Sequence, residues 1–200
     1  MDREAGKKPF NLRVITVTAM LSAVSFVLMF LDFSVPFMPA FIKMDLSELP
    51  ALIGSFSLGP ACGVAVCLVK NLLHLLITTT GGVGECSNFV LGVAFVLPAG
   101  IVYQKKRTRK RAFWGSLAGA AIMAVVSVFS NYFVMYPFYT MILPIDRILA
   151  MYQAILPFAD NLLECLIVFN MPFTFLKGIL NVAITFLVYK RISPILKGRE

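Results

Sequence analysis

Charge is scarce in this chain. Of its 200 residues only 14% are Asp, Glu, Lys or Arg, against roughly 25% in soluble domains, and 59% are hydrophobic. A water-soluble globule is excluded and an integral membrane protein is indicated. Histidine occurs once, as His74, and Cys62, Cys67, Cys86 and Cys165 form no CxxC pair, so a metal centre has little support. The cysteines sit in or beside apolar runs and read as reduced small hydrophobes. No GxxxxGK[ST] phosphate loop occurs anywhere. His74 has no Ser, Cys or carboxylate partner at local spacing, which leaves a membrane enzyme without a nucleophile and base. The first apolar run is followed by Asp32-Phe33-Ser34-Val35-Pro36 rather than a small-residue cleavage pattern, and it reads as a retained span, not a signal peptide.

What the chain has is long runs free of charge: Val14 to Leu31, Leu49 to Val69, Cys86 to Gln104, Ala112 to Ile145, Cys165 to Leu176 and Gly178 to Tyr189. Broken at Gly59-Pro60 and Pro137, with Lys70 and Lys177 admitted inside helices, they predict one all-α membrane domain over 1–200. Its six transmembrane helices fall at approximately 11–32, 48–58, 61–79, 88–105, 112–137 and 163–190. The net charge of +8 is concentrated in three places. Arg3, Lys7, Lys8 and Arg13 precede the first span; Lys105, Lys106, Arg107, Arg109, Lys110 and Arg111 separate the fourth and fifth; Lys190, Arg191, Lys197 and Arg199 end the chain. Six spans put all three on one side, and the positive-inside rule makes that side, with both termini, cytoplasmic. Topology and contact with anionic membrane lipid account for this pattern better than nucleic-acid binding. Asp32, Asp45, Glu48, Glu85, Asp146, Asp160 and Glu164 fall on or near the outer side.

The stretch from Phe37 to Pro60 is a charged loop running straight into an apolar segment. From Glu48 to Gly59-Pro60, roughly 11 residues rise about 16 Å as helix against a hydrocarbon core of about 30 Å. The loop therefore dips into the membrane. Lys43, Asp45 and Glu48 are tolerated there only facing water, each other or a bound polar molecule, so the stretch is expected to lid a ligand pocket.

Other polar residues stand at membrane depth. Lys70, beside Asn71, lies near mid-membrane, where pairing with a carboxylate and contact with a ligand both remain open. Asn131, with Ser127, Ser130, Tyr132 and Tyr136, is in the outer part of the fifth span; the tyrosines suit an interfacial belt, and Asn131 fits ligand contact equally well. In the last span Asn170, Thr174, Lys177 and Asn181 recur at i, i+4, i+7 and i+11, a polar stripe on one face of an apolar helix. That stripe is expected to face a ligand. Acids crowd the outer mouth and are expected to repel a phosphate. Thr78 to Asn88 is Gly-rich, needs no secondary structure and lets backbone approach a flat ligand. Pro98 is a candidate kink in the fourth span, and Phe138 to Asp160 a partly helical outer cap. Ala19 and Ala23 form a small-xxx-small face low on the first span, open to a partner helix or to packing within the chain; Gly115 and Gly119 favour packing within the chain.

These stretches together resemble the substrate-binding S components of energy-coupling factor (ECF) vitamin transporters, and within them the riboflavin-specific members. The resemblance rests on Lys43-Met44-Asp45-Leu46-Ser47-Glu48-Leu49-Pro50, on Gly59-Pro60 with Val69-Lys70-Asn71-Leu72-Leu73, on Gly84-Glu85-Cys86-Ser87-Asn88-Phe89, on Asn131-Tyr132 and on Pro172-Phe173-Thr174-Phe175-Leu176-Lys177-Gly178. It implies six helices, a first loop that lids an outward-facing pocket, and substrate contacts from Met44, Asp45, Leu46, Glu48, Asn88, Asn131, Thr174, Lys177 and Asn181. Many riboflavin-specific members look like Pro-Phe-Asn where this chain has Thr174, which keeps a hydroxyl and loses an amide. The resemblance also implies a multi-pass protein of a prokaryotic plasma membrane, not an enzyme, that needs no cofactor and carries riboflavin as its cargo. Its partners are then a transmembrane coupling subunit, met by Ala19 and Ala23, and two cytoplasmic ATPases. An S component for another small vitamin is the nearest alternative. A stand-alone ion-coupled carrier is a second, but it calls for inverted repeats and paired broken helices, and the chain has one short helix and no repeat.

Overall fold

A computed structural model of the chain describes residues 12–34, 43–78, 80–141, 144–155 and 161–197. Residues 37–42 of the lid stretch, with Arg3, Lys7, Lys8, Thr79, Pro157, Asp160 and Arg199, lie outside the described residues. Helix dominates the rest: α1 (Leu12–Met29), α2 (Glu48–Ser57), α3 (Pro60–His74), α4 (Val83–Lys105), α5 (Arg109–Ser130), α6 (Tyr136–Tyr139), α7 (Ile145–Gln153), α8 (Leu162–Cys165) and α9 (Met171–Lys197). Two short strands, β1 (Phe33–Ser34) and β2 (Lys43–Met44), pair antiparallel, with Phe33 opposite Met44 and Ser34 opposite Lys43. The sequence reading did not anticipate this clasp between the segment after α1 and the one before α2.

Among the described residues five helical segments are long and apolar enough to cross a membrane: Leu12–Met29, Pro60–Ile77, Val83–Lys105, Arg109–Tyr139 and Leu162–Tyr189. α2 is not among them; its 10 residues rise only about 15 Å. It is nevertheless buried over most of its length, so it is a core helix enclosed by the others rather than a full crossing.

Helix ends follow local chemistry. Pro60 occupies the first turn of α3, where its missing N–H costs nothing. α4 begins at Val83, five residues before the expected 88, so the second half of the Gly-rich connection is helical, not irregular. Gly82, at φ 91°, supplies the left-handed residue before it. α4 then runs as one helix through Pro98 to Lys105. Thr108 accepts from the Arg111 N–H to cap α5, and Asn161 accepts from the Glu164 N–H to cap α8.

Small residues set the helix spacing. A Cβ on Gly119 would stand 2.3 Å from the Phe95 carbonyl oxygen, and one on Gly115 would stand 3.1 Å from that of Ala99. The Gly115/Gly119 pair therefore seats α5 on α4 within the chain. On α1, by contrast, Leu21, Ser22 and Ser25 turn inward, while Ala19 and Ala23 are exposed. One core cluster gathers Leu52, Phe56, Val66, Phe95, Tyr103 and Met123. A second, containing Val128, Met135, Tyr136, Tyr152, Leu166 and Phe169, packs the α7 connection onto the ends of α5 and α9.

Candidate functional site

The site is built where the segment 45–48 meets α3 and α9. Asp45 Oδ1 accepts the Ser47 N–H at 2.8 Å, closing a local turn, and its Oδ2 accepts from Lys177 Nζ at 2.9 Å. Lys177 also lies 3.2 Å from Glu48 Oε2, an ion pair without hydrogen-bond alignment. Lys70 Nζ donates to Ser47 Oγ at 2.6 Å and to Glu48 Oε1 at 3.1 Å. The Ser47 carbonyl in turn accepts from Ser25 Oγ of α1. Burial raises the Asp45 carboxyl, but the charges of Lys177 and Lys70 and the hydrogen bonds from Ser47 and Lys177 overcome it and hold the group below the usual carboxylate range.

These contacts decide two open readings. Lys70 is fully buried and is the counter-ion of Glu48, so the pairing alternative holds at that position. The expectation of a repulsive acidic mouth is corrected: Asp45 and Glu48 are balanced by Lys70 and Lys177, and Glu85 does not line the cavity they border.

Beside this network lies a cavity of about 250 Å³. Asp45, Glu48, Asn88, Asn131, Thr174 and Lys177 line it, drawn from the segment 45–48, α4, the end of α5 and α9. Met44, Leu46 and Asn181 do not. Met44 is buried in the strand clasp, and Leu46 precedes the first turn of α2, its carbonyl accepting from the Leu49 N–H at 3.1 Å. Asn181 is fully buried one turn beyond Lys177 and donates to the Lys177 carbonyl at 2.9 Å. The polar stripe is real as a helix face, but its last member lies past the cavity.

Several wall residues lay outside the sequence expectation. Met123, Met135, Tyr136, Tyr139 and Phe173 supply apolar surface, and Gly84 and Ser87 complete the rim beside Asn170, which the stripe was expected to turn towards a ligand. Tyr136, read as a membrane-interface tyrosine, is buried and its hydroxyl bonds that of Tyr152 on α7. Ser87 and Ser130 hydroxyls, 2.7 Å apart, join α4 to α5. Asn170 was legible as part of the stripe, whereas the methionines carried no signal separating cavity wall from core.

Two widened helical turns aim this wall. The stretches Asn131–Met135 and Leu166–Asn170 are π-helical, closed by Tyr136 N–H to the Asn131 carbonyl and Met171 N–H to the Leu166 carbonyl. Each ends two residues before a proline, Pro137 and Pro172. A proline inside a helix lacks one donor and collides with the carbonyl four residues back, and an inserted residue relieves both.

His74 finds a partner beyond local spacing. Its Nδ1 lies 2.7 Å from Glu85 Oε1, a partner eleven residues away brought back by the turn at Gly81 and Gly82. Glu85 Oε2 accepts from Thr78 and Thr80 hydroxyls at 2.9 and 3.0 Å. This ties the end of α3 to the start of α4. Among the described residues no group of three or more His, Cys, Asp or Glu is placed to hold a metal.

The profile of the family described as "ECF transporter, substrate-specific component" matches residues 13–189. The riboflavin transporter RibU of Staphylococcus aureus is 37% identical over 94% of this chain and 93% of its own length. The riboflavin transporter FmnP of Bacillus subtilis is 30% identical over 92% of this chain and 94% of its own. A solved S component of a bacterial ECF transporter superposes with a TM-score of 0.72 at 34% identity, covering 92% of this chain and 98% of that one. ThiT from Listeria monocytogenes, 15% identical, shares the fold with a TM-score of 0.63 over 93% of this chain and 97% of its own. With the profile spanning nearly the whole chain and relatives matched end to end, this protein belongs to the substrate-specific components of ECF transporters.

Proposed function

We propose that this protein binds riboflavin from the outside and delivers it as the substrate-specific subunit of an ATP-driven ECF transporter. The carrying observation is the cavity itself, with apolar walls of Met123, Met135, Tyr136, Tyr139 and Phe173 beside a polar rim of Asn88, Asn131, Thr174 and Lys177. A flat heteroaromatic ring needs such walls with a few directed polar groups, and a ribityl chain needs several hydroxyl partners. The relatives named as riboflavin transporters support the same ligand. Riboflavin is cargo here, not a cofactor, and the protein is not an enzyme.

The remaining features follow from the family reading. The chain is a single domain with both termini cytoplasmic in a prokaryotic plasma membrane, and α2 counts as a sixth, incomplete helix under a lid formed by the loop after α1. Met44 and Leu46 contribute by shaping that lid, and Asn181 by fixing the backbone at Lys177. The exposed Ala19 and Ala23 meet a transmembrane coupling subunit, which links the protein to two ATPases. The test is titration of the purified protein with riboflavin, followed by quenching of flavin fluorescence. One ligand per chain, bound without ATP, is expected. No binding of riboflavin alongside clear binding of another vitamin would overturn the substrate and leave the family intact.

A further inference from the structure

The cavity holds a donor that no described residue accepts from. Asn170 is 7% exposed, its buried Nδ2 has no hydrogen-bond partner among the described residues, and the residue belongs to the cavity lining. Native structures almost always satisfy a buried amide N–H, so an acceptor inside the cavity is called for. Asn170 is held firmly for such a role. It is the last residue of the π-helical turn Leu166–Asn170, and the preceding Phe169 ring stacks behind it on Tyr152 with centroids 5.5 Å apart.

Its surroundings indicate which part of a ligand it meets. Asn170 stands seven residues from Lys177, about 10 Å along the helix, away from the charged network of Asp45, Glu48 and Lys177. Its own turn packs in the cluster that contains Met135 and Tyr136, the thioether and aromatic surfaces suited to a ring face. Hydroxyls of a polyol are better matched by the charged end, and a ring acceptor by a lone amide donor among apolar walls. We propose that Asn170 Nδ2 donates to a carbonyl oxygen of the flavin ring, making Asn170 a ring-recognition residue. This rests on the riboflavin reading above.

The test compares the unaltered protein with Asn170→Leu, similar in size without a donor, and Asn170→Asp, the same shape with the donor replaced by an acceptor. Riboflavin affinity is expected to fall roughly 5- to 150-fold in the Leu variant and at least as far in the Asp variant. The Raman carbonyl bands of bound riboflavin are expected to move to higher wavenumber in both, as the ring loses a donor. Unchanged affinity in a monodisperse variant overturns the inference. So does weakened affinity with unmoved carbonyl bands, the pattern of a structural residue or of one satisfied by water. If the Leu variant does not fold, the Asp variant is judged by the same two readouts. Failure of the unaltered protein to bind riboflavin sinks the ligand reading instead, and is thereby distinguished from failure at Asn170.

Discussion

Lys177 and Lys70 have the same chemistry and different tasks. Lys177 touches the cavity and the carboxylates of Asp45 and Glu48, whereas Lys70 is buried away from the cavity and holds Ser47 and Glu48 from the side. Removing one member of a buried ion pair costs about 3–5 kcal/mol because the partner charge is stranded. Lys70→Met is therefore expected to lower thermal stability strongly and to weaken riboflavin binding only through the lid. Lys177→Ala is expected to weaken binding by at least 5- to 150-fold in folded protein, the range for losing a partner in a desolvated pocket. Melting curves and titrations on the same preparations separate the two; equal effects of both substitutions on both quantities would return Lys177 to a purely structural role. Asp45 adds a pH dependence. Its carboxyl is lowered in the folded protein, so its contribution is complete above the unfolded carboxylate value of about 3.9 and is lost as pH falls towards the folded value. The stability advantage of the protein over Asp45→Asn should thus be flat from neutrality down to about pH 5 and should shrink below about pH 4. An advantage that decays already between pH 7 and 5 would mean the carboxyl is not lowered. At this scale the sequence was partly legible: charges in apolar runs marked Lys70, Lys177 and Asp45, but pairing partners 22 to 132 residues apart are set by the fold and leave no local trace.

Apolar run length and the basic clusters located the long helices, because bilayer thickness and lipid charge act on composition alone. The same arithmetic exposed α2 as too short to span. What escaped was geometry that departs from 3.6 residues per turn. Counting the polar stripe at regular helical spacing carried it to Asn181, which the structure puts beyond the cavity, while the π-helical turns put Asn131 and Asn170 on the wall. The legible cue was proline: Pro137 and Pro172 each follow such a turn by two residues. If Pro172 maintains the widened turn, Pro172→Ala restores a donor and removes the clash, letting the helix revert to regular pitch and swing Asn170 about 100° around the axis. Riboflavin binding should then weaken while the melting temperature holds or rises. A variant with unchanged affinity would show that the turn is kept by the packing of Phe169 and Leu166 rather than by the proline. The strand clasp and the helical start of α4 were missed because two-residue strands and a glycine-set turn depend on what they meet, not on periodicity.

Across the whole molecule, the cavity and the exposed α1 face are built from different helices. The cavity draws on the segment 45–48, α4, the end of α5 and α9, whereas Ala19 and Ala23 sit on the opposite flank of α1 from its buried Leu21, Ser22 and Ser25. In the proposed function ATP hydrolysis belongs to partner ATPases, and no GxxxxGK[ST] loop occurs in this chain. Small exposed residues allow another helix's backbone to approach closely where lipid would otherwise sit. Replacing Ala19 and Ala23 together by Trp fills that face with two bulky rings directed away from the chain's own core. Riboflavin affinity of the isolated protein should stay near that of the unaltered chain, while assembly with the coupling subunit and cellular uptake should be lost. Pull-down with the coupling subunit and radiolabelled riboflavin uptake, run beside titration of the purified variant, measure the three quantities separately. Loss of affinity along with uptake would mean that α1 shapes the pocket. Uptake that survives the double substitution, or that persists in cells lacking the ATPases, would instead require the protein to move its ligand unaided, and the coupling face would have to be sought elsewhere or abandoned.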